Sequence, residues 1–214
     1  IQSILAQSYG NLEVIVIGDG HQPDVESYIQ SQADPRVSYG YVPHCGYPAK
    51  GRNLGLEKAT GQYIAFCDDD DLWLPEKLEK QMSIFKADSE LVLCCTNRAI
   101  IDSEGKLSPK ESFNWIPEKF NLTNMILSNY VSYSSVLLKR EVLNKTGNFP
   151  DDIKFKAIED YHLWLRVVYV GKVFFLNEKL VLYRIHQSNI TTKYAQGALR
   201  NILLYQDIFK KFKF

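Results

Sequence analysis

Short apolar runs alternate with helix-like stretches through the first hundred residues. Leu12 to Ile17 is a β-branched run that predicts a buried strand, closed by Gly18-Asp19-Gly20. Residues 24–32 read as a helix. Val37 to Val42 alternates as a strand does, and a Pro/Gly-rich loop follows from Pro43 to Pro48. A helix carrying Arg52-Asn53-Leu54-Gly55-Leu56 stops at Thr60-Gly61. Tyr63 to Cys67 predicts a second buried strand. A helix is expected from about Leu72 to Ala87, with Pro75 and Glu76 in its first turn, and Leu91 to Thr96 is the next strand. Strands and helices at this spacing predict an α/β fold with a parallel sheet and crossover helices. Ligands of such sheets sit at the carboxyl ends of the strands. Gly18-Asp19-Gly20 and Asp68 to Asp71 both stand at such ends, so they are expected to face one crevice.

The second half is less regular. Gly105 to Pro117 reads as a polar loop, in which Phe113 and Trp115 are candidates either to stack on a ring of a ligand or simply to pack. Tyr133 to Leu138 predicts a strand, followed by a short helix through Leu143 and a turn at 147–152. Ile158 opens a helix that runs to about Tyr169. Val173 to Leu176 and Leu180 to Arg184 predict two further strands, and residues 202–214 an amphipathic helix. Trp73 and Trp164 are expected on helices, in the core.

Four consecutive carboxylates, Asp68-Asp69-Asp70-Asp71, stand directly behind the Tyr63–Cys67 run. Like charges this close oppose one another's ionisation, and a divalent cation would relieve the repulsion. Hard oxygen ligands suit Mg²⁺ or Mn²⁺, ions that commonly hold substrate phosphates against one or two carboxylates. The competing reading is a solvated acidic loop capping the next helix, in which Asp71 would take part.

Composition narrows the partners. The chain has 214 residues, 45% of them hydrophobic, which suits one globular domain. It carries 25 basic and 25 acidic residues, a balance that argues against nucleic acid as the main partner. Cys45, Cys67, Cys94 and Cys95 form no C-x-x-C pair and read as reduced thiols. The glycosylation sequons at Asn121, Asn144 and Asn189 then carry no meaning. No apolar stretch reaches the ~18 residues of a membrane span.

In order along the chain stand a strand ending in Asp19, the segment Ala49-Lys50-Gly51-Arg52-Asn53-Leu54-Gly55, the acidic run, Glu159-Asp160 at a helix start, and Tyr183-Arg184-Ile185-His186. From about Ser3 to Ser188 this ordered set resembles a family 2 glycosyltransferase of the GT-A fold, with a Rossmann-like, mostly parallel central sheet flanked by helices. The resemblance implies a metal-dependent, inverting transfer of a sugar from a nucleotide donor, most often a UDP-sugar, to a hydroxyl of a glycan or lipid-linked acceptor. It implies that Asp19 contacts the base, that Arg52, Asn53, Asp68 and Asp69 line the donor pocket, and that Asp70 and His186 reach Mn²⁺ or Mg²⁺. Asp160 matches the general base, with Glu159 and Asp71 in support. Residues 1–100 then form the donor half, 101–190 the acceptor and base half, and 191–214 a terminal helix. Gly18 and His21 depart from the pattern, where many relatives have Asp and Ser. The family's opening strand is not found, and residues 1–8 read as the end of a helix.

The expected setting is cytoplasmic, the inner face of an acceptor-bearing membrane included; the C-terminal helix reads as one packed on the domain, with contact to a membrane surface as the competing reading. Two rival readings share the features. One is a sugar nucleotidyltransferase, which should show a Gly-rich basic loop at its first strand. The other is a catalytically dead glycan- or nucleotide-binding domain.

Overall fold

The computed structural model describes residues 1–109, 116–186 and 198–212. Phe113, Trp115 and Asn189 lie outside them. The chain builds helix α1 (Gln2–Leu5), strand β1 (Val14–Asp19), α2 (Pro23–Gln32), β2 (Val37–Val42), α3 (Pro48–Lys58) and β3 (Tyr63–Ala65). Then come β4 (Leu72–Trp73), α4 (Lys77–Ala87), β5 (Leu91–Ile101), α5 (Leu122–Leu127), β6 (Leu137–Lys139), α6 (Leu143–Thr146), α7 (Glu159–Val170), β7 (Lys172–Arg184) and α8 (Ala198–Phe212). Pro opens both α2 and α3, where its missing N–H costs nothing.

The strands form two sheets. β1 and β2 pair in parallel; the other five run in the order β3-β6-β5-β7-β4. The larger sheet is mixed, not mostly parallel: β5–β7 is parallel, and β3–β6, β5–β6 and β4–β7 are antiparallel. Among the described residues, β1 has no strand partner but β2, and β3 none but β6. The free edges of β1 and β3 therefore both border the main cavity, which is lined by every residue of the two strands.

Three local expectations change. Leu72 and Trp73 do not open a helix; they pair with Leu182 and Val181 of β7, and α4 starts at Lys77. Asp71 is correspondingly no helix cap: its carboxylate accepts the Arg184 N–H at 3.0 Å, and Glu76 stands at the N-cap. The two strands expected between Val173 and Arg184 are one. The polar stretch Asn177-Glu178-Lys179 breaks the apolar pattern but not the ladder, which crosses register shifts at Thr96/Asn97 and Asn97/Arg98.

The main core gathers Phe66, Phe149, Trp164 and Tyr133 into one aromatic cluster, with Trp164 fully buried. Leu204 and Ile208 seat α8 in the same core. A second cluster, around Trp73, Leu78 and Phe85, surrounds a buried cation. Lys77 is fully buried, donates to Gln81 Oε1 at 2.8 Å and lies 4.1 Å from the Trp73 ring centre. Burial drives its pKa down to about 7, against weak opposition from the neighbouring thiols. A lysine whose folded pKa lies below its unfolded one makes the fold gain stability as pH rises through the interval from about 7 to 10.5. Lys77→Met is expected to remove that dependence. Denaturant melts of the parent should gain roughly 2 kcal/mol between about pH 7 and 8.5, and those of the variant should stay flat.

Candidate active site

The carboxyl ends of β1 and β3 open into a cavity of 1720 Å³. That exceeds the ~300–1,000 Å³ typical of a small-molecule pocket. It is lined by Asp19, Arg52, Asp68 to Asp71, Glu159, Asp160 and His186, so the structure brings nearly all the expected residues to one place.

At one end, the Asp19 carboxylate accepts the backbone N–H groups of Cys45 at 2.8 Å and Gly46 at 2.7 Å. Burial works against its charge, but these amides and His44 outweigh it and hold its pKa below the ordinary range. Gly18 has a steric reason: a Cβ there would stand 2.8 Å from the Gly20 carbonyl oxygen and 2.9 Å from the Tyr39 hydroxyl. His21 leans on Tyr41 and bonds Glu26 at 2.8 Å, on the exposed rim.

At the centre, carboxylate oxygens of Asp68, Asp70 and Asp71 lie within 4.8 Å of one another. His186 Nε2 is 2.9 Å from Asp70 Oδ2. Asp71 is 4% exposed, and its Oδ2 is buried with no hydrogen-bond partner. An orphaned carboxylate oxygen beside two more carboxylates fits a hard divalent cation, because burying such a group unpaired is costly. Burial raises the pKa of Asp68 to about 7; Arg52 opposes the rise and the neighbouring aspartates add to it. Burial likewise brings Asp71 to about 6, against the nearby Ser134 hydroxyl and the Arg184 N–H. Asp69 is exposed and stands apart from this trio.

Arg52 links the centre to the start of α7. Its guanidinium donates to Glu159 Oε1 at 2.8 Å and Asp68 Oδ1 at 3.3 Å, and lies 3.7 Å from the Tyr133 ring centre. Glu159 is 2% exposed, while Asp160 is half-buried and accepts the Tyr161 N–H at 2.7 Å. Burial raises the pKa of both acids, and Arg52 opposes it. Ala157, just before this helix, holds φ at +70°, a left-handed conformation that is costly for a side chain and concentrates at functional sites.

Asn53 departs from expectation. It does not line the cavity; its amide donates to the Phe149 carbonyl and accepts the Phe149 N–H, both at 3.0 Å. It fastens α3 to the 149 loop. Residues that sequence reasoning passed over also stand here. Arg98 donates to Ser132 Oγ at 2.9 Å and lies 4.4 Å from the Tyr183 ring centre. Ser134 Oγ accepts the Asp68 N–H at 3.0 Å. A Ser-Tyr-Ser-Ser stretch before an apolar run carries no signal of such roles.

The sequence model of Glycosyl transferase family 2 matches residues 1–147. The chain belongs to glycosyltransferase family 2. An uncharacterized glycosyltransferase of Rickettsia bellii is 33% identical over 96% of this chain and 29% of its own length. The Escherichia coli protein WfgD, described as a UDP-Glc:alpha-D-GlcNAc-diphosphoundecaprenol beta-1,3-glucosyltransferase, is 27% identical over 90% of this chain and 73% of its own. The chain spans 29 to 65% of the length of several curated relatives it matches. In three dimensions it is similar to S. aureus TarS, solved in complex with UDP-GlcNAc. That likeness has a TM-score of 0.70 at 17% identity, covering 89% of this chain and 55% of the solved TarS chain, its residues 1–349. The family 2 chain thus has the GT-A fold.

Proposed function

We propose that the whole protein is a metal-dependent, inverting glycosyltransferase that moves a sugar from a UDP-sugar to a hydroxyl of a glycan or lipid-linked acceptor. The observation that carries this is the pairing, in one cavity, of the Asp68–Asp70–Asp71 trio with the Asp160 carboxyl at the head of α7. Asp70, Asp71 and His186 would hold Mn²⁺ or Mg²⁺, whose charge stabilises the departing diphosphate. Asp19, with its carboxylate fixed by two amides, would meet the base. Asp68, held by Arg52, would face the ribose or sugar. Asp160 would take the proton of the attacking hydroxyl, and a single in-line displacement would turn an α-linked donor into a β-glycoside. The names of TarS's ligand and of WfgD support a UDP-sugar donor, and WfgD's name also supports a diphospholipid-linked acceptor.

Two features bear on the surroundings. The edges of β1 and β3 that carry no strand among the described residues both border the cavity. No described helix is long and apolar enough to cross a membrane. Exposed Ile202, Leu203 and Phe209 beside Lys210 on α8 support contact with a membrane surface that carries the acceptor.

Calorimetric titration of UDP and GDP, with and without Mn²⁺, tests the reading. Manganese-dependent UDP binding is expected in the parent and absent in Asp70→Asn. The affinity should weaken as pH falls through about 6, where Asp71 gains its proton. Binding of neither nucleotide, or binding indifferent to manganese and to Asp70→Asn, overturns it and favours a glycan-binding domain.

A further inference from the structure

The end of β7 holds the acidic run from one side. β4 pairs with β7 in antiparallel register, Leu72 opposite Leu182, so the chain before β4 runs alongside Arg184. Arg184 meets both Asp71 and Asp70. Its backbone N–H donates to Asp71 Oδ1 at 3.0 Å, and its Nε donates to the Asp70 carbonyl at 2.9 Å. Its Nη1 donates to the carbonyls of Asp102 at 2.9 Å and Ser103 at 3.3 Å. Those two carbonyls belong to the turn after β5, which the Gly105 N–H closes on the Asp102 carbonyl at 3.1 Å. Two residues beyond Arg184, His186 Nε2 meets Asp70 Oδ2 at 2.9 Å. Both the backbone and the side chain of Asp70 are therefore held from the end of β7.

We propose that Arg184 is a positioning residue for the divalent-cation site: its side chain ties the Asp70 backbone to the turn after β5, while its amide holds one oxygen of Asp71 and leaves the other for the cation. This rests on the acidic trio being a cation site. Asp68 to Asp71 stand between β3 and β4, where no strand ladder holds the backbone. Their neighbouring carboxylates repel one another, so the segment needs a fixed support. A planar guanidinium supplies it, because its donors reach several carbonyl oxygens at set angles. The oxygen of Asp71 left over is Oδ2, which is buried and has no hydrogen-bond partner. As a charge alone, Arg184 would compete with a metal ion for the trio, so its service to the site lies in its geometry. Groups behind metal ligands act in this way, and losing one costs about 10- to 100-fold in metal affinity.

The test is Mn²⁺ binding itself, read from the paramagnetic resonance signal of free Mn²⁺ in titrations of the protein with UDP present. Arg184→Ala is expected to weaken Mn²⁺ binding about 10- to 100-fold. Loss of a positive charge alone has the opposite sign and would tighten it. Arg184→Lys keeps the charge without the fork. It should weaken binding in the same direction, and it guards against misfolding of the first variant. The backbone N–H persists in both variants, so the side chain alone is tested. Guanidinium ion at millimolar concentration should restore part of the affinity of Arg184→Ala, since it supplies the same planar donors. Methylammonium, equal in charge but without the fork, should restore none.

Parental or tighter binding in Arg184→Ala, parental binding in Arg184→Lys, or equal recovery with methylammonium overturns the positioning role alone. If the parent takes no Mn²⁺, or Asp70→Asn takes it as well as the parent does, the cation site falls and the positioning role falls with it.

Discussion

Asp160→Asn is expected to lower turnover by about 100- to 10,000-fold, the usual contribution of a positioned general base. UDP affinity in the presence of manganese should stay at the parent's level. The asymmetry follows from where the group stands. Asp160 heads α7, where the helix dipole favours its anion, and its Oδ1 accepts the Tyr161 N–H at 2.7 Å. An asparagine oxygen accepts the same bond, so the start of the helix should keep its geometry. What is lost is the capacity to accept a proton from the acceptor hydroxyl. Burial raises the carboxyl's pKa and Arg52 restrains the rise, so the carboxylate is a stronger proton acceptor than a solvated aspartate. The check is the rate of UDP release from a UDP-sugar, set beside calorimetric UDP affinity. An affinity that collapses as far in Asp160→Asn as in Asp70→Asn would show that the two carboxylates share one task and that the proposed division of roles is wrong.

The parts of this site that were legible in the sequence are those where local pattern and chemistry coincide. β1 and β3 are apolar runs closed by carboxylates, and strand-helix alternation places both carboxyl ends on one side. Asp19 and the acidic run therefore met in one crevice, as the spacing implied. What escaped was set by distant pairing. Leu72 and Trp73 have the composition of a helix start, yet β7 recruits them as a strand, and no local signal reports a partner 110 residues away. Asn53 sits beside Arg52 and shares its motif, but helical geometry turns it from the cavity toward Phe149. Ser134 carries only a hydroxyl, common anywhere, and its place behind Asp68 exists only once β6 has paired with β3. The continuous β7 was hidden because a polar triplet interrupts the hydrophobic periodicity, while the pairing with β5 resumes beyond a register shift.

Arg52 shows how one residue sustains both fold and site, and Arg52→Ala is expected to damage both. Its side chain is 15% exposed, that of Glu159 2%, and the two meet at 2.8 Å. Asp68 shares the same guanidinium, and the Tyr133 and Phe149 rings enclose it. Removing one partner of a buried pair strands the other, at about 3–5 kcal/mol. For a chain of this size that lowers Tm by roughly 10 °C. Lysine is no substitute, since a point charge cannot bridge two carboxylates as the planar fork does. The sign of the pH dependence distinguishes this cause from simple loss of packing. Without Arg52, the folded pKa values of Glu159 and Asp68 rise further above their unfolded values. The destabilisation should then be largest at neutral pH and shrink as the pH is lowered and both groups take up protons. A cavity left by an apolar deletion would show no such recovery. Thermal melts of the parent and Arg52→Ala from acidic to neutral pH measure it, and a gap in Tm that stays constant across that range would assign Arg52 a packing role in place of an electrostatic one.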